Sequence, residues 1–556
     1  MTDDVPSALP EPPVPAAPPV PPAALGPAAA APPAALGPPV AVPPPPVAPP
    51  STFPVDRWDR PGPAGVGVLI AAAVAGVVAA ATLPVDRPGL GWLLSGAAVL
   101  GAWVAGAPGG VTRPPGGVTR PPGGGRVDAL VRYAWATAAL ALLAVGTVRA
   151  AGWLFTLCVL GAIAAGVQAL VGGRALRGLF LAAFAVPAGV ARALPWAARG
   201  LHRARQGREI AGLARLMVSL GVTLVLLLVF GALFASADPA FAHLLDRVLP
   251  TVDLSDAPRW LFLFPIFAVV ALTAAYFGAA PPGIDDIEGQ RRSLRRLEWI
   301  LPIALLDALF AAFVGVQLAV LFGGNEYVLS VGGPNYADHA RSGFWQLLTV
   351  TVLTLAVMAV AARVASRSSG PDRVLVRVLL GALAVLTMVI VASALRRMAL
   401  YEEAYGYTRL RLLVSGVELW LGLLFVLVLL AGVRLRARWL PQAALAAAVL
   451  GLLGLAALNP DRFIADQNIS RMNAGQHLSP DEQGHTIDLD YLSTLSADAV
   501  PALDRLPEEQ RQCALEAIRA DLQRHRDDWR SLNLGRVQAR RIIGRAPVTG
   551  CSEALR

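Results

Sequence analysis

The sequence predicts an all-α, polytopic helical membrane protein of about eleven transmembrane helices, N-terminus in and C-terminus out, with a disordered Pro-rich N-terminal tail and a small helical extracytoplasmic C-terminal domain. Three observations predict it. Of 556 residues, 55% are hydrophobic and only 15% charged, whereas a soluble globular protein is about 25% charged. The apolar residues gather into separate runs, each near the roughly 20 residues of helix that cross a bilayer core. Arginine is concentrated in alternate connections between those runs, as in proteins whose cytoplasmic loops retain positive charge.

Residues 1–63 are almost entirely Pro, Ala, Val, Leu and Gly, as in "PPVAVPPPPVAPP". Proline removes backbone donors and blocks helix interiors, so this segment reads as an extended, disordered cytoplasmic tail. It opens "MTDD" without a basic n-region, unlike a signal peptide. Residues 64–171 hold the first four spans, Gly65–Leu83, Leu90–Ala107, Leu130–Val148 and Ala151–Val171. The repeat "GGVTRPPGGVTRPPGGGR" between two of them reads as a flexible loop without chemistry. Residues 172–210 form a basic cytoplasmic or interfacial segment. Within it Leu179–Ala198 is apolar but contains Pro187, Arg192 and Pro195, so it is expected to lie in the interface or re-enter rather than cross. Residues 211–458 form a seven-helix core, Ala211–Ser236, Trp260–Ala280, Trp299–Phe322, Phe344–Val364, Val374–Leu395, Leu412–Val433 and Leu440–Leu458.

With the N-terminus inside, the inner connections receive most arginines, including Arg192 through Arg208, Arg291 to Arg296, Arg363 through Arg377, and Arg434 to Arg438. The outer connections receive Arg87, Arg149, Arg247, Arg259, Arg341 and the four arginines of "SALRRMALYEEAYGYTRLRLL". The chain has no lysine, so all 47 basic residues are Arg. The net charge of +9 therefore reports topology, not nucleic-acid binding. The expected partners are the lipid bilayer and an extracytoplasmic ligand or protein; the expected location is a bacterial plasma membrane.

Residues 459–556 lie beyond the last span, on the side where disulfides persist. Cys513 and Cys551 either bridge there or remain free thiols, while Cys158 reads as a small buried apolar residue. Leu515, Ile518, Leu522 and Trp529 repeat at helical spacing after Pro507, and "SADAVPALDRLP" reads as a shorter helix.

The inner segments are Arg-rich and otherwise bland, whereas the outer ones mix charges, aromatics and Asn. Rigid Tyr and planar Arg suit carboxylate, phosphate or glycan recognition. That makes Tyr336, Arg341, Arg396, Arg397, Tyr401, Glu402, Glu403, Tyr405 and Arg409 the candidate ligand- or partner-binding residues. Within the spans, Asp307, Gln317 and Glu418 are the candidate intramembrane polar groups, because burying them in lipid needs a partner or a job. Asp307 and Gln317 stand about 15 Å apart on one helix and cannot form one compact site. There is no P-loop, HExxH, GxSxG or paired CxxC, and no two His sit at metal-ligand spacing on one helix. His477 and His485 read as solvated loop residues. No metal, no cofactor and no catalytic residue is expected, and a non-enzymatic role is favoured over an enzyme.

The ordered array "LFGGNEY…YADHARSGFWQLL", "SALRRMALYEEAYGYTRLRL…VELWL" and "NPDRFIADQNISR…DLDYLSTLSADAVPAL" resembles a bacterial multi-pass membrane family catalogued as domain of unknown function family 4173, close to family 4153. The resemblance runs from about Arg215 to Leu503. It implies an integral membrane protein and supplies no catalytic residues. Three readings follow: a membrane scaffold, sensor or envelope-associated protein with a polar outer surface; a transporter or channel using Asp307 and Glu418; or a membrane enzyme on a lipid-linked or envelope substrate, with Glu402, Glu403 or Asp338 as acid or base.

Overall fold

The computed structural model describes residues 61–107, 126–172, 176–206, 257–281, 295–322, 344–365, 369–435, 437–474, 487–548 and 550–551, with scattered positions between 219 and 241. Among the described residues there is no strand. The helices are α1 (Val66–Thr82), α2 (Leu90–Gly106), α3 (Arg126–Val148), α4 (Gly152–Val171), α5 (Leu176–Gln206), α6 (Ala257–Ala279), α7 (Arg296–Phe322), α8 (Phe344–Val364), α9 (Gly370–Tyr405), α10 (Arg409–Arg434) and α11 (Leu440–Leu458). The C-terminal domain adds α12 (Pro460–Asn473), α13 (Leu489–Ser493), α14 (Val500–Leu503), α15 (Glu508–Arg524) and α16 (Leu534–Arg545).

Eight described helices, α3, α4 and α6–α11, are long and apolar enough to cross a membrane, and α1 and α2 are apolar but shorter, at 17 residues each. Ten of the eleven apolar runs in the sequence thus fall on described helices, and Ala211–Ser236 lies largely outside the described residues. The interfacial segment is one continuous 31-residue helix, α5, that carries Pro187 and Pro195 inside it. It is not among the helices apolar enough to cross.

The first packing group centres on α6, which lies against α1, α2 and α5, with α3, α4 and α11 completing it. Small residues set the spacing, because apolar helices in lipid associate through close packing. A Cβ at Gly106 would stand 2.1 Å from the Ala275 carbonyl oxygen, so α2 and α6 touch backbone to backbone. Trp196 of α5 meets Tyr276 of α6 edge-on at 5.5 Å and donates its indole N–H to the Gly62 carbonyl at 2.6 Å. The second group is α7–α10, built around Phe310, Leu383, Ile390 and Phe425. At one end of this group the Arg296 Nε donates to Asp372 at 2.7 Å, tying α7 to the first turn of α9.

Helix α9 has 36 residues, about 54 Å of helix against a hydrocarbon core of about 30 Å. Its C-terminal turns therefore extend past the apolar run. That corrects the picture of Ser393–Leu413 as a connection between spans: all of it is helical except Gly406–Thr408.

The C-terminal domain begins immediately after α11. Asn459, at φ 58°, breaks the helix, and Pro460 restarts it because its missing N–H costs nothing in a first turn. The domain core gathers Ile464, Leu492, Leu503, Leu515 and Ile518 with Ala150, Tyr407 and Leu412 from the bundle side. Leu515, Ile518 and Leu522 are buried on α15, whereas Trp529 is not on that helix and is 57% exposed. The helix ends at Arg524, where His525 turns extended, and beyond it the Asp528 carboxylate accepts the Arg530 and Ser531 amides at 3.0 and 2.9 Å in an Asx turn. Cys513 and Cys551 are joined by a disulfide, and Cys158 is free and buried.

Candidate functional site at the bundle–domain junction

Gly406 closes α9 at φ 78°, a region that costs a side-chain-bearing residue and that glycine enters freely. Thr408 then caps α10 by accepting the Arg411 amide. Around this three-residue turn the polar side chains of both helices are brought together with the C-terminal domain. Arg411 lies over the Tyr401 ring, 4.4 Å from its centroid, and donates to the carbonyls of Tyr405 and Gly406. Tyr401 and Tyr405 stack at 4.8 Å. Glu402 is buried and accepts from the Ser415 hydroxyl at 3.4 Å, while its carbonyl accepts from Arg471 at 2.6 Å. Asn468 reads both backbone groups of Tyr407, accepting its N–H and donating to its carbonyl, each at 2.9 Å.

The centre of the junction is Asp461. It is fully buried, and it receives the Arg409 guanidinium in two parallel bonds, Nε to Oδ1 at 2.8 Å and Nη2 to Oδ2 at 2.6 Å. The Ser496 amide and the Trp153 indole also donate to it, at 2.8 and 3.1 Å. One carboxylate thus joins α10, α12, α4 and the turn before α14. Burial works to raise its pKa, but the Arg409 guanidinium and the Ser496 amide outweigh burial and hold it below the usual carboxylate range. The Arg409 amide donates to the Tyr491 hydroxyl at 2.6 Å, and burial pushes that phenol up.

A second carboxylate, Asp498, accepts the Ala150 and Ala151 amides of the α3–α4 connection at 2.7 and 3.1 Å. Burial pushes its pKa up to about 6, against the partial relief those two amides supply. Its folded pKa lies above the unfolded value, so its contribution to stability is complete below about pH 4 and is lost as pH rises through about 6. Lowering pH from 7 to 5 is therefore expected to strengthen docking by about 1 kcal/mol. Asp498→Asn should flatten that dependence in hydrogen exchange over residues 489–548. An unchanged slope would remove Asp498 as its cause.

The other two connections at this end are held similarly. Asn533, fully buried, donates to the Gly146 and Arg149 carbonyls at 2.8 and 2.7 Å. Arg149 donates to the Ala456 and Ala457 carbonyls at the end of α11. Arg536 pairs with Asp527 through Nε at 2.9 Å and donates to the Pro88 carbonyl at 2.9 Å, and Arg87 lies 3.7 Å from the same aspartate.

Of the residues singled out in the sequence, Tyr401, Glu402, Tyr405 and Arg409 meet in this junction. Glu403 and Arg396 are exposed, Arg397 is half-buried, and none of the three has an ion pair among the described residues. Tyr336 and Arg341 lie outside the described residues, as do His477 and His485. Within the spans, Gln317 accepts from the Ser393 hydroxyl. Asp307 and Glu418 keep both carboxylate oxygens buried without a hydrogen bond among the described residues. Among the described residues no group of His, Cys, Asp and Glu is placed to hold a metal. A small cleft of about 40 Å³ opens at the seam, lined in part by Tyr405, Tyr407, Arg471, Asp488 and Tyr491. Sequence reasoning did not single out Asp461, Asp498 or Asn533. The signal available for Asp461 was its place directly after Asn459-Pro460, where a span ends and a polar helix starts.

A family model described as "Domain of unknown function (DUF4153)" matches residues 137–506, about two thirds of the chain. The match begins within α3, earlier than the motif resemblance to family 4173, and takes in Trp153, Arg409, Asp461 and Asp498. No curated protein and no solved structure matches.

Proposed function

The chain belongs to the family of unknown function DUF4153, an integral membrane protein family by its apolar helices, and from that premise we propose that it is an envelope-associated membrane scaffold or sensor. Its C-terminal domain presents a polar ligand- or partner-binding surface on the extracytoplasmic side of a bacterial plasma membrane. The observation that carries this reading is the seam. The domain is fastened to three helix connections and to the end of α11, yet leaves a cleft lined by Tyr405, Tyr407, Arg471, Asp488 and Tyr491. Tyr405 lines it from the last turn of α9, Arg397 and Glu403 lie on the same final turns, and none of the three bonds Asp461. The resemblance of the motifs to family 4173 is part of the same proposal.

The topology is argued from parity. The α1–α2, α3–α4 and α9–α10 connections and the end of α11 all touch the C-terminal domain, so they share one side. Helices α4 and α6–α9 make five crossings between two of these connections, and an even number is needed to return to one side. Eleven spans, with α5 not crossing, meet that condition. The arginine bias then assigns the domain to the outside.

The test is complementation of a strain lacking the protein. Arg397→Ala and Tyr405→Ala are expected to lose function while retaining membrane insertion and the protease resistance of the C-terminal domain. If both restore the strain fully, the seam is structural and the binding reading fails. A second reading, a transporter or channel, is favoured by the unbonded carboxylates of Asp307 and Glu418. It predicts that Asp307→Asn and Glu418→Gln abolish complementation while leaving the domain docked. Full complementation by both would remove its support.

A further inference from the structure

Among the described residues of the C-terminal domain, the exposed large apolar side chains are Trp529, Leu532 and Leu534, and all three fall within six consecutive positions. Chance exposure scatters singly over a soluble surface, so this concentration needs a cause. The same six positions touch the helices of the bundle directly. The Arg530 carbonyl accepts the amide of Gly91, the second residue of α2, at 2.9 Å. A Cβ at Gly89 would stand 2.5 Å from the Ser531 Cα, so the loop and the start of α2 are in backbone contact. Asn533, between Leu532 and Leu534, donates to Gly146, which is inside the last turns of the spanning helix α3. Trp529, Leu532 and Leu534 are thus fixed at the depth where the spans end.

We propose that the segment Trp529–Leu534 is a membrane-interface anchor, and that what covers its apolar side chains is the lipid of the bilayer the bundle spans. Contact with the start of α2 and the last turns of α3, where apolar helices end, selects that occupant. The chemistry fits it, since indole rings concentrate at the headgroup level, where one part of the ring is dry and the N–H stays wet. Arg530 lies 5.9 Å from the Trp529 ring centroid, so the cation stands beside the indole on a stem able to snorkel toward phosphate. The short helices add a reason. At 17 residues, α2 spans only about 26 Å of a core about 30 Å thick. The anchor supplies apolar surface beside its end. Trp529 lies beyond the end of α15, in the Asx turn that opens at Asp528.

The test uses the full chain in lipid nanodiscs, with Leu532→Cys carrying an environment-sensitive dye. Labelling is selective without reductant, because Cys158 is buried and Cys513 is bonded to Cys551. The expected result is emission blue-shifted from the dye in buffer, lost when lipids carry a nitroxide near the headgroup end of the acyl chain, and retained with aqueous iodide. Quenching by iodide and not by nitroxide lipid would place the segment in solvent and overturn the proposal. Protection from both quenchers would place a protein or a second copy there and overturn it equally. A dye at Trp529→Cys repeats the measurement should the Leu532 variant fail to fold.

Discussion

Asp461→Ala is expected to release the C-terminal domain from the bundle at a cost of about 3–5 kcal/mol, the range for removing one partner of a buried ion pair. The large effect comes from what stays behind. Asp461 is fully buried, and its loss strands the Arg409 guanidinium, the Ser496 amide and the Trp153 indole together. Asp461→Asn keeps one acceptor oxygen, enough for the Ser496 amide or the Trp153 indole but not both, and loses the countercharge, so it should fall between wild type and alanine. Arg409→Ala strands a carboxylate instead, and the double variant should cost clearly less than the sum of the singles, since residues in one network are not additive. The measurement is hydrogen exchange over residues 489–548 in detergent or nanodiscs. Protection unchanged in Asp461→Ala would show that the pair contributes nothing to docking. The pH dependence has the opposite sign to that of Asp498. Asp461 is held below the usual carboxylate range, so its contribution is present above about pH 4 and lost as pH falls through its own lower value. Between pH 7 and 5 it therefore leaves the Asp498 slope uncovered.

The sequence made the bundle legible and the junction only half so. Spans announce themselves because a bilayer sets a length and a polarity that each run must meet alone. Val66–Thr82 or Leu440–Leu458 needs no knowledge of its neighbours to be recognised. The outer arginines were legible as exceptions, and the structure supplies a reason for several. Arg87, Arg149, Arg409 and Arg411 are bonded to an aspartate or to backbone carbonyls at the end of the bundle that holds the C-terminal domain. Their partners could not be read in advance. Asp461 lies 52 residues from Arg409, Trp153 lies 308 from Asp461, and Asn533 lies 387 from Gly146. Such pairs are fixed by tertiary packing, which leaves no local period in the chain. Trp529 failed for a related reason: a helical spacing continued past Arg524 on paper, whereas the backbone turns extended at His525. The motif Tyr401–Arg409 stood out by its mix of Tyr, Arg and Glu, and the structure places it at the turn between α9 and α10. Of its side chains, Arg409 serves the clamp and Glu402 is engaged by Ser415.

Reduction of the Cys513–Cys551 bond is expected to cost the C-terminal domain about 4 kcal/mol, from the chain entropy of a closed loop whose ends are 38 residues apart. The loop it closes contains α16 with its capping residue Asn533, and so both Asn533 and Arg536, which fasten the domain to the α3–α4 and α1–α2 connections. Non-covalent contacts run alongside the bond. Arg511 donates to the Ala546 carbonyl and Arg519 to the Val548 carbonyl, each at 2.7 Å, so the segment after α16 should loosen rather than detach outright. Reductant, or Cys513→Ser, is therefore expected to lower protection over residues 508–551 while leaving exchange in α7–α10 unchanged. Identical protection with and without reductant would mean that the bond closes a loop already held by its hydrogen bonds. The same pair reports on sidedness. Trapping thiols in intact cells before lysis should find Cys513 and Cys551 blocked from alkylation, because such bonds persist outside the cytoplasm and are reduced within it. Free thiols at both positions would place the domain on the reducing side. That result would overturn the side assigned from the arginine bias, while the even number of crossings and the Asp461 clamp would stand on the opposite face of the membrane.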